Sequence, residues 1–416
     1  MKFKKWRDVI NEGTPLKLLY FYTDWCEYCE KQKEILDKIP DWDSFSYAEI
    51  NADERPDLAI RYSPQIYPSI SIITENNVVG GLYGYNDSQQ IEETMLIALD
   101  LYNGGGKLFS EKNLKNVSKR TYNVTDAIDL IKRNCLAFFD IYYGGFEREP
   151  KYYLPNVLRF LLRDKKDPYS LEVVKYTVDA VIYNLWNEGF YAYAKKYDWS
   201  EPSKEKLLDI NAEMVITLLE TYERTKDDYY LGYAIETGKW ILKNRDREFY
   251  PIAVGENKGG YYMPVNSEIG EMFYLLYKYS NISKFLEEST RLAKILPEKL
   301  SHNLESDSPL FLIDMAYLLR FLSSMGKGIE LIPKIKDLFY GGDAFFDVPL
   351  SLAREEKIGR FKLLTDNSVL AQALLKLGVV NEATKIANFF LKSFYNYTYF
   401  SQAEYGMLLA MLNENV

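Results

Sequence analysis

A chain of 416 residues, 47% hydrophobic and 27% charged, is long enough for two cores and has the composition of a folded, water-soluble protein. Its formal net charge of −9 argues against nucleic acid as the main partner, because phosphate binding needs a basic face; the short clusters Lys2, Lys4, Lys5 and Lys112, Lys115, Lys119, Arg120 read as solvated surface. No apolar run reaches about 18 residues, and no apolar segment follows the charges of Met1–Trp6, so neither a membrane span nor a secretory signal is expected and a cytoplasmic location is.

Residues 1–102 alternate short apolar runs with helical patterns. The order predicts a helix at 3–10, a strand at 16–22, a helix at 26–39, a strand at 46–51, a helix at 56–62, strands at 69–74 and 78–83, and a helix at 88–101. Glu75-Asn76-Asn77 suits a hairpin turn between the last two strands. Two of the three cysteines stand in Trp25-Cys26-Glu27-Tyr28-Cys29, after the first strand and at the start of a helix. There the helix dipole and free backbone N–H groups favour a thiolate at Cys26, and Cys29 follows one turn later, close enough to close a disulfide.

Asn103 to Gly106 ends the last of these helices with three consecutive glycines, and a polar stretch follows. Residues 103–120 are therefore expected to be a linker between a domain at 1–102 and another at 121–416. Beyond Thr121 the pattern is helical, with no convincing strand. It predicts helices at 125–141, 154–164, 169–186, 204–225, 228–244, 266–280, 282–298, 308–323, 328–338, 366–377, 380–395 and 399–412. Twelve helices fit six hairpins closed into an α/α toroid, or an open solenoid. Gly144-Gly145-Phe146, Gly189-Phe190-Tyr191, Gly259-Gly260-Tyr261-Tyr262 and Gly341-Gly342 recur at one or two hairpin lengths of roughly 40 residues. In a toroid such loops would ring the mouth. Composition adds one hint: 36 tyrosines against a single histidine suggest a thermophilic source.

The W-C-x-x-C at 25–29, with Tyr67-Pro68 before an apolar strand, resembles the thioredoxin superfamily. That resemblance implies that Pro68 is a cis-proline facing the cysteine pair. The whole chain resembles the YyaL and spermatogenesis-associated protein 20 family, a thioredoxin-like domain fused to a six-hairpin toroid related to glycosidases and sugar epimerases. The matching stretches are Asp53-Glu54-Arg55-Pro56-Asp57, Gly144-Gly145-Phe146 with Pro150-Lys151, Gly189-Phe190 with Trp199 and Pro202, Glu205-Lys206, and Asp366-Asn367-Ser368. Two departures stand out. Ser203 occupies the place of a family histidine, which lowers the prospect of epimerase chemistry. Tyr20 replaces a buried aspartate and Glu49 its lysine partner, which leaves Glu49, through water, as the proton acceptor for the second cysteine.

The expected chemistry is thiol–disulfide exchange, with Cys26 as nucleophile, Cys29 as resolving thiol, Trp25 and Pro68 beside them, no cofactor beyond the Cys26–Cys29 disulfide and no metal. Asp24, Glu27 and Glu30 oppose the thiolate and so predict a reducing couple. A fold kept as scaffold with idle cysteines is the bland alternative. Cys135, on an apolar helix face, is expected in the core, and His302 on the surface. At the toroid mouth Glu147, Tyr152, Asp198, Trp199, Glu205, Tyr261, Asp343 and Asp366 are candidates for a carbohydrate-like ligand, with Asp198 or Glu205 against Asp343 or Asp366 as acid and base. The same charges equally suit capping, with Asp366 an N-cap and Glu205-Lys206 a first helical turn. Three functions stay open: a thiol–disulfide oxidoreductase acting on a protein or small molecule, with a ligand- or partner-binding toroid; a carbohydrate-active hydrolase or isomerase; and a non-catalytic interaction protein.

Overall fold

The structure, a computed structural model, describes residues 1–64, 66–75, 77–104, 122–146 and 149–414. Its contacts divide it into two compact units. The first holds the described part of Met1–Lys119 with Asn257–Gly260 and Leu350–Arg360; the second holds that of Arg120–Glu256, Tyr261–Pro349 and Phe361–Val416. The division is thus not the contiguous one expected, because two short segments of 121–416 fold with the first unit. Most of the expected linker lies outside the described residues; Asn103 ends a helix and Gly104 is its C-cap.

The first unit is a four-stranded sheet of β1 (Leu16–Tyr22), β2 (Phe45–Asn51), β3 (Ser69–Thr74) and β4 (Asn77–Tyr83), in the order β2-β1-β3-β4. β1 runs parallel to β2 and antiparallel to β3, which pairs antiparallel with β4. β1 and β3 are the central strands and are buried almost throughout, including Lys17 of β1 and Ser69, Ser71 and Thr74 of β3; β4, at the edge, is largely exposed or half-buried. The helices are α1 (Trp6–Val9), α2 (Glu27–Lys38), α3 (Pro56–Tyr62) and α4 (Ser88–Asn103). Leu16, Leu18, Tyr20, Ile70 and Ile72 of the sheet pack with Leu36 of α2 and Ile91, Met95 and Ala98 of α4. α4 starts at a capping box, Asp87 accepting from the Gln90 N–H and Gln90 from the Asp87 N–H.

In the second unit six helices form an inner ring: α6 (Pro155–Arg163), α8 (Leu208–Thr225), α10 (Met263–Ser280), α12 (Leu312–Ser324), α15 (Leu364–Lys376) and α17 (Tyr399–Glu414). Each packs on the next, and α17 packs on α6, so the ring closes. Outside it lie α5 (Val124–Ala137), α7 (Pro168–Leu185), α9 (Asp228–Lys243), α11 (Ser283–Ile295), α13 (Ile332–Phe339) and α16 (Val380–Phe390). This is the expected α/α toroid. Inner helices such as α15 are buried on nearly every side, whereas outer ones such as α11 bury a single stripe.

Four details differ from the sequence reading. A short helix, α14 (Leu350–Glu355), was not foreseen; it belongs to the first unit. Two-residue strands β5 (Trp186–Asn187) and β6 (Gly189–Phe190) pair with each other, as do β7 (Lys206–Leu207) and β8 (Ala253–Val254). Lys206 is therefore in a strand rather than a first helical turn, since α8 begins at Leu208. Asp366 is not an N-cap: Leu363 holds that position, and Asp366 sits inside α15.

A device absent from the sequence reading recurs at the inner helices. Asn211, Asn266 and Asn367 each stand at the fourth residue of α8, α10 and α15. Their side chains accept from the backbone N–H of Phe190, Tyr250 and Phe345 and donate back to the same residues' carbonyls. Each amide thus clamps an aromatic loop residue to the start of an inner helix. Its second N–H donates to the N-cap carbonyl of Leu207, Tyr262 or Leu363.

Candidate functional site

The cysteine pair is built by the loops that leave β1 and β2. After Tyr22 the chain turns through Thr23, whose carbonyl accepts from the Cys26 N–H at 3.3 Å, and Cys26 becomes the N-cap of α2. Cys26 and Cys29 are paired as a disulfide with Cα atoms 5.3 Å apart. Both are largely buried, 6% and 3% exposed, which limits attack to groups that reach the helix N-terminus. The loop after β2 braces this turn: Asn51 donates to Asp24 at 3.0 Å, and Asp53 accepts from the Trp25 indole at 2.8 Å. Asp53 also faces Tyr67, whose hydroxyl pKa is raised, chiefly by burial and then by that carboxylate. One aspartate thus links Trp25 to the residue before Pro68. Pro68 is buried, and the Tyr67–Pro68 bond is cis.

The rest of the Asp53–Asp57 stretch is structural. Arg55 binds Asp57 through two 2.8 Å bonds and also contacts Glu356 of the first unit's 350–360 segment; Arg7 donates to the same Glu356 at 2.8 Å. Tyr20, in the place of the family's buried acid, donates its hydroxyl to the Cys29 carbonyl at 2.6 Å, and burial raises its pKa. Glu49, the expected proton acceptor, is exposed and lies 3.4 Å from Lys33.

In the second unit the predicted rim residues differ in burial and in partners. Glu147 lies outside the described residues. Asp198 accepts from the backbone and hydroxyl of Ser200, which hold its pKa low and close a turn. Trp199 is 1% exposed, so its face is not open to a ligand: its indole donates to the Tyr143 carbonyl, and its ring covers Gly145 and Lys151. Gly145, at φ +80, leaves the space that ring fills. Lys151, fully buried, donates to Asp140 and to the Tyr197 carbonyl, both at 2.7 Å. Tyr261 donates to Asp246 at 2.8 Å, and Asp343 is exposed. Glu205 is half-buried, with Oε2 enclosed and without a hydrogen-bond partner among the described residues. Asp366 is buried, which pushes its pKa up to about 7, with Asp347 and Asp314 adding to the effect. His302, expected on the surface, is buried at 3% exposure with Nδ1 2.6 Å from Asp314; the bridge between its neighbour Asn303 and Tyr262 and the bond from the Met263 N–H to the His302 carbonyl hold this segment so that the ring packs against Tyr262 and Phe311. Cys135 is in the core as expected, its thiol pushed up to about 12 by burial.

A cavity with carboxyls in its lining lies among the inner helices of the second unit. It has a volume of about 230 Å³, and its lining includes Tyr152, Tyr153, Glu213, Tyr317, Thr365 and Glu404. Of the expected rim, Tyr152 is there. The carboxyls come from α8 and α17, and Asp209 and Glu268 stand next to Glu213. Burial raises Asp209 to about 6, and Glu268 is raised by burial and by its hydrogen bond and charge contact with Glu213. The signal in sequence was a carboxylate on an otherwise apolar inner helix, Asp209 and Glu213 four residues apart on α8 and Glu404 on α17.

Comparison with known proteins agrees with both units. Residues 1–96 match the Thioredoxin family model. Human spermatogenesis-associated protein 20 is 24% identical over 135 residues, 30% of this chain but only 16% of that protein, and a probable protein disulfide-isomerase A6 from Medicago sativa is 30% identical over 81 residues, 18% of this chain and 22% of that protein. Among solved structures, a sugar epimerase from a ruminal bacterium shares 13% identity at TM-score 0.54, over 70% of this chain and 99% of its own. An α-mannanase of glycoside hydrolase family 76 from Bacteroides thetaiotaomicron shares 10% at 0.54, over 71% and 96%. The protein is thus a thioredoxin-family domain joined to an α/α toroid of the epimerase and mannanase fold. The human and mouse relatives named spermatogenesis-associated protein 20 belong to the group its sequence resembles, and this chain matches 16% of their length.

Proposed function

We propose that the chain is a thiol–disulfide oxidoreductase of thioredoxin type. The observation that carries this reading is Cys26 at the N-cap of α2 with Cys29 one turn on, inside a thioredoxin-family domain. The Cys26 thiolate attacks one sulfur of a substrate disulfide, forming a mixed disulfide and releasing the other sulfur as thiolate. The Cys29 thiol then gives up its proton and attacks the Cys26 sulfur. This re-forms the Cys26–Cys29 bond and releases the second substrate thiol, so two electrons have passed to the substrate. Trp25, held by Asp53, and Pro68 shape the surface at which an extended substrate docks. Glu27 and Glu30 in the first turn of α2 disfavour the thiolate, which makes the dithiol a reductant suited to a reducing compartment such as the cytoplasm.

The test is a redox titration of the whole protein in thiol/disulfide buffers, with alkylation and mass counting. A reversible two-electron transition nearer about −270 mV than about −120 mV is expected, with Cys29→Ser retaining substrates as mixed disulfides. Thiols that fail to titrate would reduce the first unit to a scaffold. For the toroid, the inner-ring cavity supports a second role, the binding of a small carbohydrate-like ligand; tyrosine rings for stacking and carboxyls for hydroxyl groups are the supporting features.

A further inference from the structure

We infer that the ligand of the inner-ring cavity carries a positively charged nitrogen, so that an amino sugar fits it better than a neutral one. This deepens the carbohydrate-like reading of the toroid and rests on it. Glu213 and Glu404 line the cavity, and no lysine, arginine or histidine is among the described residues that do. The basic groups nearby already pair with acids outside the lining, Glu268 among them. Arg320 lies 3.2 Å from Glu268 and 2.9 Å from Glu271, Lys376 lies 3.0 Å from Glu271, and Arg159 lies 3.3 Å from Glu220. Glu404 accepts from Gln372 at 2.7 Å, and the more distant Arg320 and Arg159 charges partly offset the rise that burial gives its pKa.

A second observation points to a ligand independently of the acids. Tyr153 lines the cavity at 1% exposure, and its hydroxyl has no hydrogen-bond partner among the described residues. A buried phenol left so is costly unless something else bonds to it. That hydroxyl stands within the influence of Asp209 and Glu213. Tyr152 and Tyr317 also line the cavity, Tyr317 with the Arg320 guanidinium 4.5 Å from its ring centroid, so the site joins aromatic rings to carboxyls, the combination that holds an ammonium group by cation–π attraction and charge-assisted hydrogen bonds. The carboxyls Asp209, Glu268 and Glu404 all titrate above their ordinary range because of burial, and an entering cation would relieve that.

The experiment is calorimetric titration of the full chain at about pH 7 with glucosamine, glucose and N-acetylglucosamine. Glucosamine is expected to bind at least about tenfold tighter than either neutral sugar. Glu213→Gln and Glu404→Gln should each erase that preference, while Tyr153→Phe should weaken all three probes. Equal binding of glucose and glucosamine would overturn the charge inference and leave the carbohydrate reading standing. Binding of none would overturn both. Glucosamine binding that survives both glutamine variants would place the amine site elsewhere and overturn the assignment. If a variant fails to fold, the three-sugar comparison on the unmodified chain still decides.

Discussion

Cys26, Tyr20 and Asp366 show how a single side chain acquires its behaviour from its surroundings. The thiolate of Cys26 is favoured by the N-terminus of α2 and opposed by Glu27 and Glu30 in the same turn. Glu27→Gln should therefore raise the reduction potential, by about 10 mV for an exposed charge, as measured by the same redox titration; a fall in potential would refute the electrostatic account. Tyr20 contributes a hydrogen bond to the Cys29 carbonyl rather than a proton. Tyr20→Phe should cost about 1 kcal/mol in chemical denaturation and leave the exchange rate near neutral pH almost unchanged. A large loss of rate at unchanged stability would make Tyr20 a participant. Asp366 has a pKa of about 7 in the folded chain because burial disfavours its charge. Between about pH 4 and 7 the folded state holds a proton that the unfolded chain has released, so this residue makes stability fall as pH rises. Asp366→Asn should remove that slope and gain about 2–4 kcal/mol at pH 8, read from melts across the range. Melts with the same pH slope in both proteins would contradict the assignment.

At the scale of elements, the asparagine clamps explain how each aromatic loop is fixed to an inner helix. Asn266, wholly buried, accepts from the Tyr250 N–H and donates to the Tyr250 and Tyr262 carbonyls. Replacement by alanine strands the buried Tyr250 N–H and carbonyl, while the Tyr262 carbonyl keeps the backbone N–H of residue 266, so Asn266→Ala should cost about 2–4 kcal/mol. Asn266→Asp should be no better, since a carboxylate cannot donate to the two carbonyls; a thermal melt that ranks the aspartate near the wild type would refute this. The repeated glycine–aromatic loops were legible in the sequence, but their meaning was not. Glycine at 189 is needed because the Trp240 ring occupies the space of a Cβ, and the partner sits some fifty positions away. The clamping asparagines were equally visible as letters and equally silent, because their partners lie in the preceding loop.

Across the whole molecule, the first unit is not one continuous stretch. Glu356 is buried within it, held by Arg55 and Arg7, and comes from a segment nearly three hundred residues later in the chain. Glu356→Gln should destabilise this unit by about 3 kcal/mol, because it leaves Arg55 with Asp57 alone in a buried setting; calorimetry of the full chain would follow the loss, and an unchanged transition would show the network to be idle. The second unit is organised by the closure of six inner helices, and the cavity is lined by residues of α6, α8, α12, α15 and α17, of the segment leading into α6, and by Ala192.

By itself the sequence determined the alternation of strands and helices in the first hundred residues, the cysteine pair at a helix start, and the helical hairpins that follow. These depend on local periodicity, turn chemistry and short motifs, which act within a few residues. Only the tertiary structure decided which charges matter. Asp198 and Trp199 read as ligand groups, but Asp198 is consumed by its own turn and Trp199 by the 143–151 segment, and His302 is drawn inside by Asp314. Glu213 and Glu404, which resemble ordinary helix-surface acids, face a common cavity because ring closure turns that side of each helix inward. Burial and convergence arise from contacts between distant segments, and a one-dimensional pattern carries no measure of either.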